Sequence, residues 1–237
     1  MRAALLAVFL LGLGGCVAPT PLPPAVPVSR PAAPLNAEAG RAAALTFLQV
    51  VATVEPVAEK LCRSRGEARI CDFRIVVDDR PGQPPNAFQT LDNRGRPVIG
   101  FTLALIAEAR NADELAFVLG HEAAHHIAGH IPKREEQALS GALLAGVLAA
   151  ASGLSPDEVE AAQELGAATA ARGYSREFEL EADALGAEIT WLAGYDAVLG
   201  SAFFDRLPDP GDRFSSSHPA NSQRKAVIAA TVRRLGG

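Results

Sequence analysis

The sequence predicts a chain of the α+β class, mostly helical, with one small antiparallel sheet set beside a central helix. Three observations lead there. Helix-period apolar patterns with start and stop signals recur along the chain, at 36–63, 111–132, 155–171 and from 175 onward. β-Forming runs are short and confined to 70–102, where turn residues separate them. Roughly 200 residues follow a proline-rich stretch, enough for one domain with a proper core.

The amino end reads as an address. Arg2 precedes an apolar run from Ala3 to Leu13, and Gly14-Gly15-Cys16 follows. A basic start, a short apolar core and small residues before a cleavage point make a signal peptide over 1–15. The run is too short for a permanent span, which takes about 20 apolar residues. Leu13-Gly14-Gly15-Cys16 resembles a bacterial lipobox, so Cys16 is expected to become a lipidated amino terminus. Val17 after it resembles lipoproteins sorted to the outer membrane. Residues 16–35 are dense in proline and nearly uncharged, which predicts an extended tether. The folded domain is expected over 36–237.

Net charge is −5, and no basic run or aromatic-basic interleaving is present, so nothing points to nucleic acid. With Cys16 assigned to lipid, Cys62 and Cys71 remain as an even pair, which predicts a disulfide in an oxidising compartment.

The first helix is expected over 36–63, with Asn36 as cap and Pro56 as a kink. Ile70 to Val77 reads as a strand, ended by Asp78-Asp79-Arg80-Pro81-Gly82. Residues 86–91 and 97–102 read as two more, joined by Asp92-Asn93-Arg94-Gly95. An edge strand here would hold an extended peptide through its main chain.

In the next helix Asn111 is a cap, Glu114 stands three residues on, and Pro132 is read as the stop. It contains His121-Glu122-Ala123-Ala124-His125. Two histidines four apart share a helix face and can grip one Zn²⁺, with Glu122 beside them to take a proton from the attacking water. Ala128 and Ile131 stand where a metzincin needs Gly and His, so a third ligand must lie elsewhere. His126 and His130 read as surface or packing residues, His130 falling on the opposite side of an unbroken helix from His121. Uncharged residues 138–155 are expected to pack as a helix or hairpin, a flap over the cleft. Ser155 caps a helix to about 171. Ser175 caps another, on which Glu179 and Asp183 share a face and Glu181 points elsewhere.

HEAAH, followed some fifty residues on by SREFELEAD, resembles the HtpX and CAAX-prenyl-protease family of gluzincin zinc metallopeptidases. Asn86-Ala87-Phe88 and His218-Pro219 with Arg224 match as well, over about 45–230. The resemblance implies a zincin-like domain and one Zn²⁺ on His121, His125 and Glu179, with Asp183 bonded to a ligand histidine. It lies closest to the soluble periplasmic, BepA-like branch, implying protein or peptide substrates such as unfolded envelope proteins. His218 is expected to approach the metal from a loop as a fourth ligand or transition-state donor, and Arg224 is the other donor candidate. The competing function is a lipid-anchored chaperone or assembly factor with restrained proteolysis. Oligomeric state is not legible.

Overall fold

β3 (Pro97–Thr102) holds the centre of a three-stranded sheet because it is the most apolar of the three strands, with Ile99 and Phe101 fully buried. β1 (Arg74–Asp78) runs parallel to it, pairing Ile75 with Ile99. β2 (Ala87–Leu91) runs antiparallel on its other side, pairing Phe88 with Gly100. The sheet is therefore mixed, not antiparallel throughout. The Asp92–Arg96 turn makes β2 and β3 a hairpin, with the Asp92 amide donating to the Arg96 carbonyl at 2.9 Å. The order β1-β3-β2 then sets β1 on the far edge in the direction of β3. The computed structural model describes residues 37–65, 70–207, 209 and 219–236, without the side chains of 172–175. The signal peptide, Cys16, the tether, Asn36 and His218 lie outside the described residues.

α1 (Ala37–Ser64) buries a single stripe, Phe47, Val50, Val54, Ala58 and Cys62, at steps of three and four residues. Pro56 lies inside this helix without ending it. Cys62 and Cys71 are joined as a disulfide, which ties the end of α1 to the approach of β1. Among the described helices α1 alone is long and apolar enough to cross a bilayer. Its stripe is packed in the protein core instead.

α2 (Leu103–Glu108) follows β3 directly, and Thr102 caps it by accepting from the Leu105 amide. α3 (Ala112–Ile127) is the buried centre of the molecule. Asn111 accepts from the Glu114 amide at 2.9 Å. Glu114 is itself buried and receives two guanidinium bonds of 2.7 Å from Arg206. Burial alone would raise the Glu114 carboxyl; Arg206 and the Arg110 amide outweigh it and hold it below the usual range.

α3 does not run to Pro132. Gly129 adopts φ 70, a left-handed conformation that glycine tolerates without strain, and α4 (His130–Ala151) starts on a new axis. Pro132 sits in the first turn of α4, where a missing amide donor costs no helical bond. α5 (Pro156–Leu192) is one helix of 37 residues, not two. Ser155 does start it, donating from its amide to Glu158 at 2.9 Å, but Ser175 lies mid-helix. A cap-type residue cannot start a helix whose backbone bonds already run through it.

α4 and the first half of α5 form a hairpin. Its helices approach closely at Gly141 and Gly166, where a methyl group on either would strike the other's carbonyl. The outer side of α4 leaves Leu139, Leu143, Leu144, Val147 and Leu148 exposed. A short helix α6 (Ala197–Gly200) passes into a 3-10 turn (Ser201–Arg206). α7 (Asn221–Leu235) closes the fold against α5.

The register of α3 against α5 depends on a second glycine pair. A Cβ on Gly120 would sit 2.8 Å from the Gly186 carbonyl oxygen, and one on Gly186 would sit 2.8 Å from the His121 Cα. Gly186→Ala should force the two helices apart, lowering stability by about 1–3 kcal/mol. A fall in the urea midpoint with unchanged slope would show this.

Candidate metal centre

The α3–α5 crossing brings three ligand-type side chains together. His121 and His125 are one turn apart on α3 and direct their Nε2 atoms at each other, 3.0 Å apart. Glu179, on α5, lies with Oε2 3.6 Å from His121 Nε2 and Oε1 3.5 Å from His125 Nε2. These donor atoms all fall within 4.8 Å of one another.

The donor set fits zinc. Ligand bonds of about 2.0–2.1 Å in tetrahedral array separate donor atoms by roughly 3.3 Å, close to what is seen. The outer nitrogens of both rings are engaged elsewhere. His121 Nδ1 lies 3.0 Å from Asp183 Oδ1, without the straight geometry of a full hydrogen bond. His125 Nδ1 lies 2.8 Å from His130 Nδ1. Both Nε2 lone pairs are thus left for one central cation.

The surrounding charges favour that cation. Burial lowers the basicity of His121, but Asp183 and Glu179 outweigh it and raise its pKa to about 10, marking a point that draws positive charge. Burial, then the charge on the His121 ring, pushes His125 down to about 3. Asp183 is fully buried and accepts two bonds of 2.7 Å from Arg224. Burial would raise its carboxyl; Arg224 and His121 prevail and keep it low. Arg224 also approaches Glu179 Oε2 at 3.4 Å and lies over the Phe204 ring at 4.0 Å. It is a buried partner of two acids, and it borders the cleft.

That cleft, of about 430 Å³, is lined by Glu122, Asn86, Ala87, Phe117, Phe203 and Arg224 beside the three metal-type residues. A second hollow of about 400 Å³ continues past Glu122 and His125 to Gln89 and Thr90. β2 is an edge strand and borders both.

Of the residues singled out in the sequence, His121, Glu122, His125, Glu179, Asp183 and Arg224 are brought to this place. Helical periodicity places His130 and Glu181 away from the site, yet they meet here, with Nε2 of His130 3.2 Å from Glu181 Oε2. The signal that locates them is Gly129, the break that turns His130 back. His126 is a packing residue, with its Nε2 2.7 Å from the Ile70 carbonyl oxygen and its ring edge-on to Phe73.

The family model for Peptidase family M48 matches residues 44–232. The chain belongs to peptidase family M48. The match runs from within α1 through most of α7, so the M48 domain takes in the sheet, α3, α5 and Arg224. The resemblance read from HEAAH and SREFELEAD falls within the same family. Two relatives are similar over part of their length. The chain is 32% identical over 163 residues to a putative beta-barrel assembly-enhancing protease of Vibrio cholerae, covering 62% of this chain and 33% of that protein. It is 29% identical over 136 residues to the mitochondrial metalloendopeptidase OMA1 of Arabidopsis thaliana, covering 56% of this chain and 27% of that protein. This M48 chain thus spans about a third or less of the relatives it matches.

Proposed function

We propose that this chain is a zinc-dependent endopeptidase of the bacterial cell envelope, acting on misfolded or misassembled outer-membrane proteins. The observation that carries the reading is the convergence of two imidazole nitrogens and a carboxylate in a cleft with Glu122 at its wall and an edge strand along it. His121, His125 and Glu179 would hold one Zn²⁺ per chain. Zinc, when bound, polarises the scissile carbonyl and makes water acidic enough to attack near neutral pH.

The remaining work belongs to the protein. Glu122 takes a proton from the attacking water and passes it to the leaving amine. Asp183 fixes the His121 ring from behind, and Arg224 keeps Asp183 charged in its buried position. The free edge of β2 pairs with the main chain of an extended substrate, so the enzyme recognises unfolded backbone more than sequence. Such substrates fit a relative named for beta-barrel assembly.

Attachment is proposed through lipid on Cys16, with 16–35 as the tether. Cys16→Ala should leave the protein unprocessed or released, and mass spectrometry of the mature amino terminus decides it. Hydrolysis in buffer should be unchanged by that substitution, because the tether separates the lipid from the folded domain.

The activity test uses purified protein, zinc and an unfolded outer-membrane β-barrel protein. Fragments that disappear on chelation and return with zinc are expected. Suppressed aggregation without any cleavage would favour the chaperone or assembly-factor reading instead.

A further inference from the structure

His130 is a buried imidazole for which the hydrolytic steps above have no use. Gly129 redirects the chain so that the first residue of α4 faces back onto α3. His130 Nδ1 then lies 2.8 Å from Nδ1 of His125, and its Nε2 lies 3.2 Å from Glu181 Oε2. Its ring stacks on Phe178, with centroids 4.4 Å apart and planes 13° from parallel. Phe178 and Glu181 flank Glu179 on α5. One imidazole therefore touches the ligand helix α3 and the ligand turn of α5 together.

For neutral rings, the proton inventory allows one arrangement that satisfies the His125–His130 and His130–Glu181 contacts together. A neutral imidazole carries a single N–H. With His125 Nε2, which faces His121 and Glu179, reserved for the metal, its proton is on Nδ1 and is donated to His130 Nδ1. The His130 proton is then on Nε2 and is donated to the Glu181 carboxylate. Asp183 contacts the outer nitrogen of the other histidine, so each ring is oriented from behind by a different residue.

We propose that His130 is a positioning residue of the metal centre, backed by Glu181. It fixes His125 in the tautomer that aims Nε2 at the metal, and it locks the turn carrying Glu179 to α3. This inference rests on the zinc reading and adds two residues to it. Outer partners of this kind alter metal affinity by about 10–100-fold.

The test compares zinc affinity, by competition with a chromophoric chelator, and the visible absorption of the Co²⁺-loaded protein. His130→Phe keeps the ring against Phe178 and removes the acceptor. His130→Asn keeps an acceptor oxygen near the Nδ1 position. His130→Phe should weaken zinc binding about 10–100-fold and shift the cobalt bands, and His130→Asn should recover much of both. Wild-type affinity and an unchanged cobalt spectrum in folded His130→Phe would overturn the proposal, leaving a packing role. Should His130→Phe not fold, Glu181→Ala decides, because that side chain is half exposed and its removal spares the core. Weaker zinc binding in Glu181→Ala supports the relay, and wild-type binding overturns it. Wild-type protein that takes up no zinc would overturn the metal centre itself, and the relay with it.

Discussion

Glu122→Gln should stop peptide hydrolysis while leaving the metal in place. Glu122 lines both hollows of the cleft, one residue from His121, yet it does not belong to the converging donor set. Glutamine preserves its size and its capacity to accept a hydrogen bond from water, but it cannot take up a proton. A positioned general base contributes about 10²–10⁴ in rate, and kcat should fall by that factor. KM should change little, because the edge of β2 that holds the substrate is untouched. Zinc content equal to wild type, measured on the same preparation, separates a lost base from a lost metal.

Asp183→Ala should be the most damaging change to the fold. Asp183 is fully buried and carries both strong bonds of Arg224, itself held over Phe204 in the interior. Removing the acid leaves a guanidinium without its main counter-charge, which costs about 3–5 kcal/mol. For a domain of this size the melting temperature should drop by roughly 10 °C. The double variant Asp183→Leu with Arg224→Met removes both charges and should recover much of that stability. It should not recover zinc affinity, since His121 still lacks the carboxylate behind its ring. Calorimetry with parallel zinc titration distinguishes these two effects.

The parts of the fold legible in the sequence are those fixed by local chemistry. The step of four between His121 and His125, and again between Glu179 and Asp183, places each pair on one helix face whatever the helix packs against. Asn111 and Ser155 announce helix starts because their side chains or neighbours satisfy free amides there. β2 and β3 lie at their expected positions, since Gly, Pro and Asp bound them, whereas β1 begins at Arg74 and not at Ile70.

What escaped the sequence depends on long-range pairing or on a change of axis. β1 joins β3 rather than β2, a choice made by burial of the most apolar strand and not by any local signal. Pro132 looked like a stop, but Gly129 ends α3 three residues earlier, and a proline is well tolerated in the turn that follows. An unbroken helix over 111–132 puts His130 on the side away from His121, and the break at Gly129 brings it back against His125. Ser175 resembled a cap, yet nothing near it breaks the backbone, and α5 runs on unbroken to Leu192. Helical spacing alone points Glu181 away from the site, because its partner there, His130, comes from a different helix.

The central claim is that His121, His125 and Glu179 together hold a zinc ion. Glu179 joins it from a helix more than fifty residues along the chain, so it is the ligand on which the claim depends most. Zinc per chain, measured by plasma mass spectrometry on wild-type and Glu179→Ala protein after dialysis against a weak chelator, tests it directly. One zinc in the wild type and little in the folded variant is the expected result; equal zinc in both would contradict the assignment.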